Sequence, residues 1–183
     1  MSNWQYANVV PTKAWRSATT LPREITMTKT LEGYGLRSKP VAELEKIQWD
    51  TKKVAGSVAL ESPLSLISFD LKEDEKAFFV TLENSANERV KISFQQGFLT
   101  VDRTTAGVSD FSEVFAATHK MDLGKIYVNN VKVYLDLASI EIFINDGERV
   151  MTEVIFPTTP YSNVKVEKKT PEFNITSLSS IWK

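Results

Sequence analysis

The stretch VKVYLDLASIEIFINDGERVMTEVIFP, residues 131–157, decides the fold. Val131, Val133, Leu135 and Leu137 share one parity, whereas Ile140, Ile142 and Ile144 share the other. Successive side chains of a strand point to opposite faces, so this switch within one apolar run requires a chain reversal near Ala138-Ser139. Asn145-Asp146-Gly147 then supplies residues that accept the positive φ angles of a second turn, and Val150 to Phe156 returns as a third strand.

The same grammar extends outward. Ser57 to Glu61, Leu64 to Leu71, Phe78 to Glu83, Val90 to Phe94, Phe98 to Asp102 and Asn163 to Lys168 are short apolar runs bounded by turn residues. Val90, Ile92 and Phe94 alternate with Lys91, Ser93 and Gln95, as a half-buried antiparallel strand requires, and Gln96-Gly97 reads as the following hairpin turn. Nearer the N-terminus, Ile25, Met27 and Leu31 precede Gly33-Tyr34-Gly35, which reads as the turn of a further hairpin whose second strand runs to Lys39. Val41, Leu44 and Ile47 recur at spacing three behind Pro40 and predict about two turns of helix. Thr170 to Ser180 reads as a polar tail laid on a sheet edge. About a dozen short strands with so little helix predict a mainly β protein, an antiparallel two-sheet β-sandwich of the jelly-roll or concanavalin-like kind.

Met1 to Ala7 alternates like a strand, with Trp4 and Tyr6 two residues apart, so the chain reads as one entered in mid-domain. Asn8 to Pro22 carries two prolines and a Ser/Thr run and predicts an extended connector. With 183 residues the chain suits one core. Its 22 Lys plus Arg against 23 Asp plus Glu give a net charge of -1, which offers no general attraction for nucleic acid. No apolar run approaches the length of a membrane span, so neither nucleic acid nor membrane is an expected partner. Zero cysteines exclude disulfides and thiolate metal sites.

Two clusters, SNWQYA with PTKAWRSATTLPRE (residues 2–24) and QGFLTVDRTTAGVSDF (96–111) continuing into residues 132–157, resemble glycoside hydrolase family 32, the invertase, inulinase and levanase family. The resemblance implies a five-bladed catalytic β-propeller followed by a linker and a C-terminal β-sandwich. On it, residues 1–7 are the last strand of a truncated propeller, 8–23 the interdomain linker and 24–183 the sandwich. The implied partner is that missing propeller.

Retaining fructoside hydrolysis needs two carboxyl groups about 5 Å apart. The family's carboxylate motifs are absent: there is no Trp-Met-Asn-Asp-Pro run, no Arg-Asp-Pro and, without cysteine, no Glu-Cys pair. No catalytic residue, cofactor or metal is therefore expected in this chain. The lone histidine, His119, supports neither a metal site nor a nucleophile pair. Asp102-Arg103 reads as a structural ion pair, Asp146 as turn chemistry, and Glu73-Asp74-Glu75 as a solvated loop cluster, where Lys72 and Lys76 argue against calcium.

The resemblance implies that Trp4 either borders the fructose pocket of the intact parent enzyme or simply packs the propeller. Trp15, Arg16 and Arg23 read as structural linker residues, the indole plugging the interdomain groove and guanidinium groups locking carbonyls and carboxylates. The expected function is an accessory module that stabilises the propeller. Direct binding of fructan oligosaccharide on Tyr34, Trp49, Phe111, Tyr127 or Tyr161 is the alternative, and a homo-oligomer is left open. Met1 to Ala7, without its blade, is expected to be mobile or docked on another molecule.

Overall fold

The structure is a computed structural model that describes residues 5–30 and 33–181. Thirteen strands follow one another among these residues: β1 (Arg23–Thr30), β2 (Gly33–Pro40), β3 (Gln48–Ala59), β4 (Ser65–Asp70), β5 (Phe78–Glu83), β6 (Arg89–Gln95), β7 (Phe98–Thr105), β8 (Thr118–Asp122), β9 (Asn130–Leu135), β10 (Ser139–Ile144), β11 (Arg149–Val154), β12 (Asn163–Glu167) and β13 (Glu172–Leu178). A single 3-10 helix, Ala42–Ile47, fills the predicted helical position.

Strands β1 and β2 pair only with each other, and the others form one hydrogen-bonded series in the order β11-β10-β9-β4-β13-β3-β12-β5-β6-β7-β8. That series is folded into the two layers of an antiparallel β-sandwich by β3. Residues 48–55 of β3 pair with β13, and residues 56–59 pair with β12. Gly56 opens the second half with φ of +77°. A Cβ there would meet nothing within contact distance, so glycine is needed for backbone conformation and not for space.

Between the layers lies a core containing Val90, Ile92 and Phe94 of β6, Val131, Val133 and Leu135 of β9, and Ile140, Ile142 and Ile144 of β10. The two parities meet across the turn, with Ile140 opposite Leu135, Ile142 opposite Val133 and Ile144 opposite Val131. Leu137, however, is exposed, because the chain has already left the sheet for the turn. Asn145, Asp146 and Gly147 all have positive φ (51°, 53° and 86°), as do Gln96 and Gly97 in the two-residue turn between β6 and β7.

Three expectations are corrected. The β1–β2 turn falls between Thr30 and Gly33, which are paired, so Gly33-Tyr34-Gly35 lies inside β2. Residues 172–178 are not a tail on an edge: β13 sits between β4 and β3, burying Phe173 and Ile175 in the core. Its alternation was hidden by Asn174, Thr176 and Ser177. In the first seven residues, Met1 to Trp4 lie outside the described set, and Gln5 to Ala7 belong to a turn running to Val9, closed by the Val9 N–H donating to the Tyr6 carbonyl at 3.0 Å.

The outer face of the β10 side is covered as well. Leu66, Tyr134, Phe143 and Leu178 form a second apolar cluster, capped by Leu21 from the connector and by Leu44 and Ile47 from the 3-10 helix. Strand β10 is consequently buried on both faces.

Candidate functional site

Four charged residues are buried among those described, Glu75, Arg103, Glu141 and Glu153. Three of them meet along β11, the edge strand of one layer: Arg103 from β7, Glu141 from β10 and Glu153 from β11 itself.

Arg103 has only 1% of its surface exposed. Its guanidinium donates to the Val154 carbonyl at 2.8 Å and to the Tyr6 hydroxyl at 3.1 Å, and it lies 3.5 Å from Glu153. It also stacks 4.1 Å from the centre of the Phe115 ring. The other Glu153 oxygen meets His119 Nδ1 at 2.8 Å, so one carboxylate holds a buried cation on one side and a more exposed imidazole on the other. Tyr6, Val10, Phe115 and Phe156 pack around Arg103 with Val108 and Phe111, and Tyr6 meets Phe115 edge-on at 5.2 Å. The N-terminal segment is thus held by a buried aromatic and a charge-assisted network.

A second clamp fixes the far end of the connector. The buried Glu141 accepts from the Leu21 N–H at 2.6 Å and forms an ion pair with Arg23, which also donates to Thr152 Oγ1 at 2.9 Å. Arg23 lies 5.1 Å over the Phe143 ring. Burial, together with the charges of Glu45 and Glu141, pushes the Tyr134 hydroxyl up to about 12, so it stays protonated beside this carboxylate.

The third contact joins the β1–β2 hairpin to the β10–β11 turn. Ser38 N–H donates to the Gly147 carbonyl at 2.9 Å. A Cβ on Gly147 would run into the Ser38 carbonyl, so the backbone of β2 and that of the β10–β11 turn meet directly.

The model of the glycosyl hydrolases family 32 C-terminal domain matches residues 34–182. The chain belongs to that family. A levanase of Bacillus subtilis (strain 168) is 32% identical over 207 residues, an alignment covering 100% of this chain and 30% of the relative. The extracellular exo-inulinase of Aspergillus awamori is 29% identical over 179 residues, covering 87% of this chain and 33% of that one. The chain therefore spans about a third of the length of these curated relatives. The crystal structure of the exo-inulinase from Aspergillus awamori superposes with a TM-score of 0.80 at 25% identity, covering 100% of this chain and 40% of that chain. A fructofuranosidase from Schwanniomyces occidentalis shares the fold, with a TM-score of 0.72 at 22% identity over 98% of this chain and 44% of that one.

Within this family 32 C-terminal domain, the residues singled out from sequence fare differently. Trp4 lies outside the described residues. Trp15 is partly exposed and lies 6.5 Å from Phe156, at the rim of the Tyr6 cluster. Arg16 is exposed and donates back to the Thr12 carbonyl and to Thr12 Oγ1, tying a turn of the connector in which Ser17 has φ of 67°. Arg23 is held by Glu141, as described. Glu141, Glu153 and Tyr6 were missed as members of the site. The signal was present in SIEIFI and MTEVIF, where one carboxylate interrupts an apolar run.

Asp102 and Arg103 do not pair with each other. Neighbours in a strand face opposite ways, so Arg103 turns inward to Glu153 while Asp102 accepts from the Thr104 amide (2.9 Å) and hydroxyl (2.6 Å). Nor is the 73–75 cluster wholly solvated: Asp74 pairs with Lys169, but Glu75 is buried and accepts from the Lys72 N–H at 2.7 Å and the Thr170 N–H at 2.5 Å. Asp146 is turn chemistry, with a 2.8 Å ion pair to Lys132. Among the aromatic platforms, Tyr161 is buried with its hydroxyl donating to the Ala106 carbonyl, and Phe111 packs in the Tyr6 cluster. Tyr34, Trp49 and Tyr127 remain exposed, Tyr127 beneath Lys76 at 5.3 Å.

Proposed function

We propose that this domain is the accessory C-terminal sandwich of a fructan-degrading glycoside hydrolase, of the levanase or exo-inulinase kind, and that it stabilises a catalytic propeller preceding it. In this reading residues 1–7 are the end of that propeller, 8–23 the linker and 24–183 the sandwich. The observation that carries it is the anchoring of the N-terminal segment: Tyr6 is tied to the fully buried Arg103, and Arg23 to the buried Glu141, so the chain enters the sandwich along a fixed path. A rigid entry transmits contacts from a preceding domain, whereas a flexible tether would leave two independent bodies.

Hydrolysis is assigned to the preceding domain, because the family's carboxylate motifs do not occur in these 183 residues. Incubation of the purified chain with levan, inulin and sucrose should release no fructose. Release that survives repurification and scales with protein would overturn the division of labour. Removing residues 24–183 from the natural polypeptide that contains them should lower the thermal stability of the remaining catalytic part.

A further inference from the structure

The β1–β2 hairpin is turned inside out. On one face stand Ile25, Met27, Tyr34 and Leu36, which are 58%, 70%, 74% and 69% exposed. Met27 sits directly opposite Leu36, and Lys29 opposite Tyr34, so these side chains share a face. The residues on the other face, Thr26 opposite Arg37 and Thr28 opposite Gly35, are half-buried. A strand pair in water ordinarily does the reverse, with its apolar face inward and its threonines out. The hairpin touches the body at its base, through Arg23 and Ser38, and pairs with no other strand. A two-stranded ribbon of this kind is marginal by itself, and a contiguous exposed apolar face marks an interaction surface.

We propose that this apolar face is the part of the domain that grips the preceding domain of the same polypeptide. The proposal deepens the accessory-domain reading and rests on it. Two observations select that occupant. First, the N-terminal segment, the connector and the arm follow one edge of the sandwich: Tyr6 joins Arg103 beside Val154, Trp15 meets Phe156, Arg23 reaches Thr152, and Ser38 meets Gly147. The segment that enters the sandwich and the arm therefore share one edge, Tyr6 at its Val154 end and the arm at its Gly147 end. Second, the matching relatives are about three times longer than this chain, and the matched family model is a C-terminal one, so their additional length lies mainly upstream.

Hydrogen–deuterium exchange of residues 25–37 tests this, measured on the 183-residue chain and on the natural longer polypeptide containing it. Arm amides should exchange on the order of tenfold or more slowly in the longer polypeptide. Met27→Lys and Leu36→Lys should abolish that difference while leaving the melting temperature of the 183-residue chain unchanged, because both side chains are already in solvent. Slowing near Tyr6 but not in the arm would overturn the arm proposal and leave the domain contact standing. Slowing at neither place would overturn both. Protection that instead rises with concentration of the 183-residue chain would assign the face to a second copy and overturn the proposal.

Discussion

The Arg103 guanidinium donates to the hydroxyl of Tyr6 at 3.1 Å, joining residues 97 positions apart in the sequence. The bond closes the N-terminal segment onto the sandwich, in a site where the aromatic rings of Tyr6, Phe111, Phe115 and Phe156 exclude water.

Tyr6→Phe keeps the ring and deletes only this bond, so it should cost about 1–2 kcal/mol and lower the melting temperature by roughly 2–8 °C. Arg103→Leu leaves Glu153 buried with His119 as its remaining partner among the described residues and should cost more, about 3–5 kcal/mol. Thermal melts of the two variants check the order as well as the size of these effects.

The clamp between Arg23 and Glu141 gives a test of a different kind. Arg23→Ala strands a buried carboxylate and should destabilise by about 3–5 kcal/mol. Replacing both residues with apolar ones, Arg23→Met with Glu141→Leu, removes the charge that needed a partner. The double variant should recover most of the loss of the single one in a denaturant titration.

At Gly147 the expected effect combines strain with displacement. Its φ is +86°, and a Cβ would collide with the Ser38 carbonyl. Gly147→Ala should therefore loosen the hairpin from the β10–β11 turn, seen as faster proteolysis within residues 25–38, with far less change in the exchange of core amides on β6 or β9.

Acid sensitivity follows from two carboxylates. Burial opposes the ionisation of Glu75, but the Lys72 and Thr170 amides outweigh it, holding its pKa below the usual 4.5. Glu88 is likewise penalised by burial and more than rescued by Asn84 and Thr158. A group whose folded pKa is depressed stabilises the fold above its unfolded pKa and loses that contribution as pH falls through the folded value. Stability should thus be constant in these groups above about pH 5 and decline below about 4.5. Glu75→Gln and Glu88→Gln should each flatten that decline in pH-dependent denaturant melts.

Most of the sandwich was legible because burial imposes strict alternation. Ile140, Ile142 and Ile144 announce their face without any tertiary information, and Asn145-Asp146-Gly147 announces its turn. The failures share a cause in partners distant along the chain. Strand β13 is central although polar, because its neighbours β3 and β4 supply the packing that its own sequence does not signal. Glu141 and Glu153 could be recognised as odd within apolar strands, but their partners, Arg23 and Arg103, lie more than a hundred and about fifty positions away. The hairpin shows the opposite case: its alternation is legible and its turn is displaced by two residues, because Gly33 is the first residue of β2 and Gly35 lies inside it.

Calorimetry of the natural polypeptide that contains residues 1–183, beside the 183-residue chain alone, tests most directly whether this domain stabilises what precedes it. Docking through the Tyr6 edge requires one coupled transition, at a temperature above that of the separate chain and lowered by Arg103→Leu. Two independent transitions, one of them identical to that of the separate chain, would contradict the account.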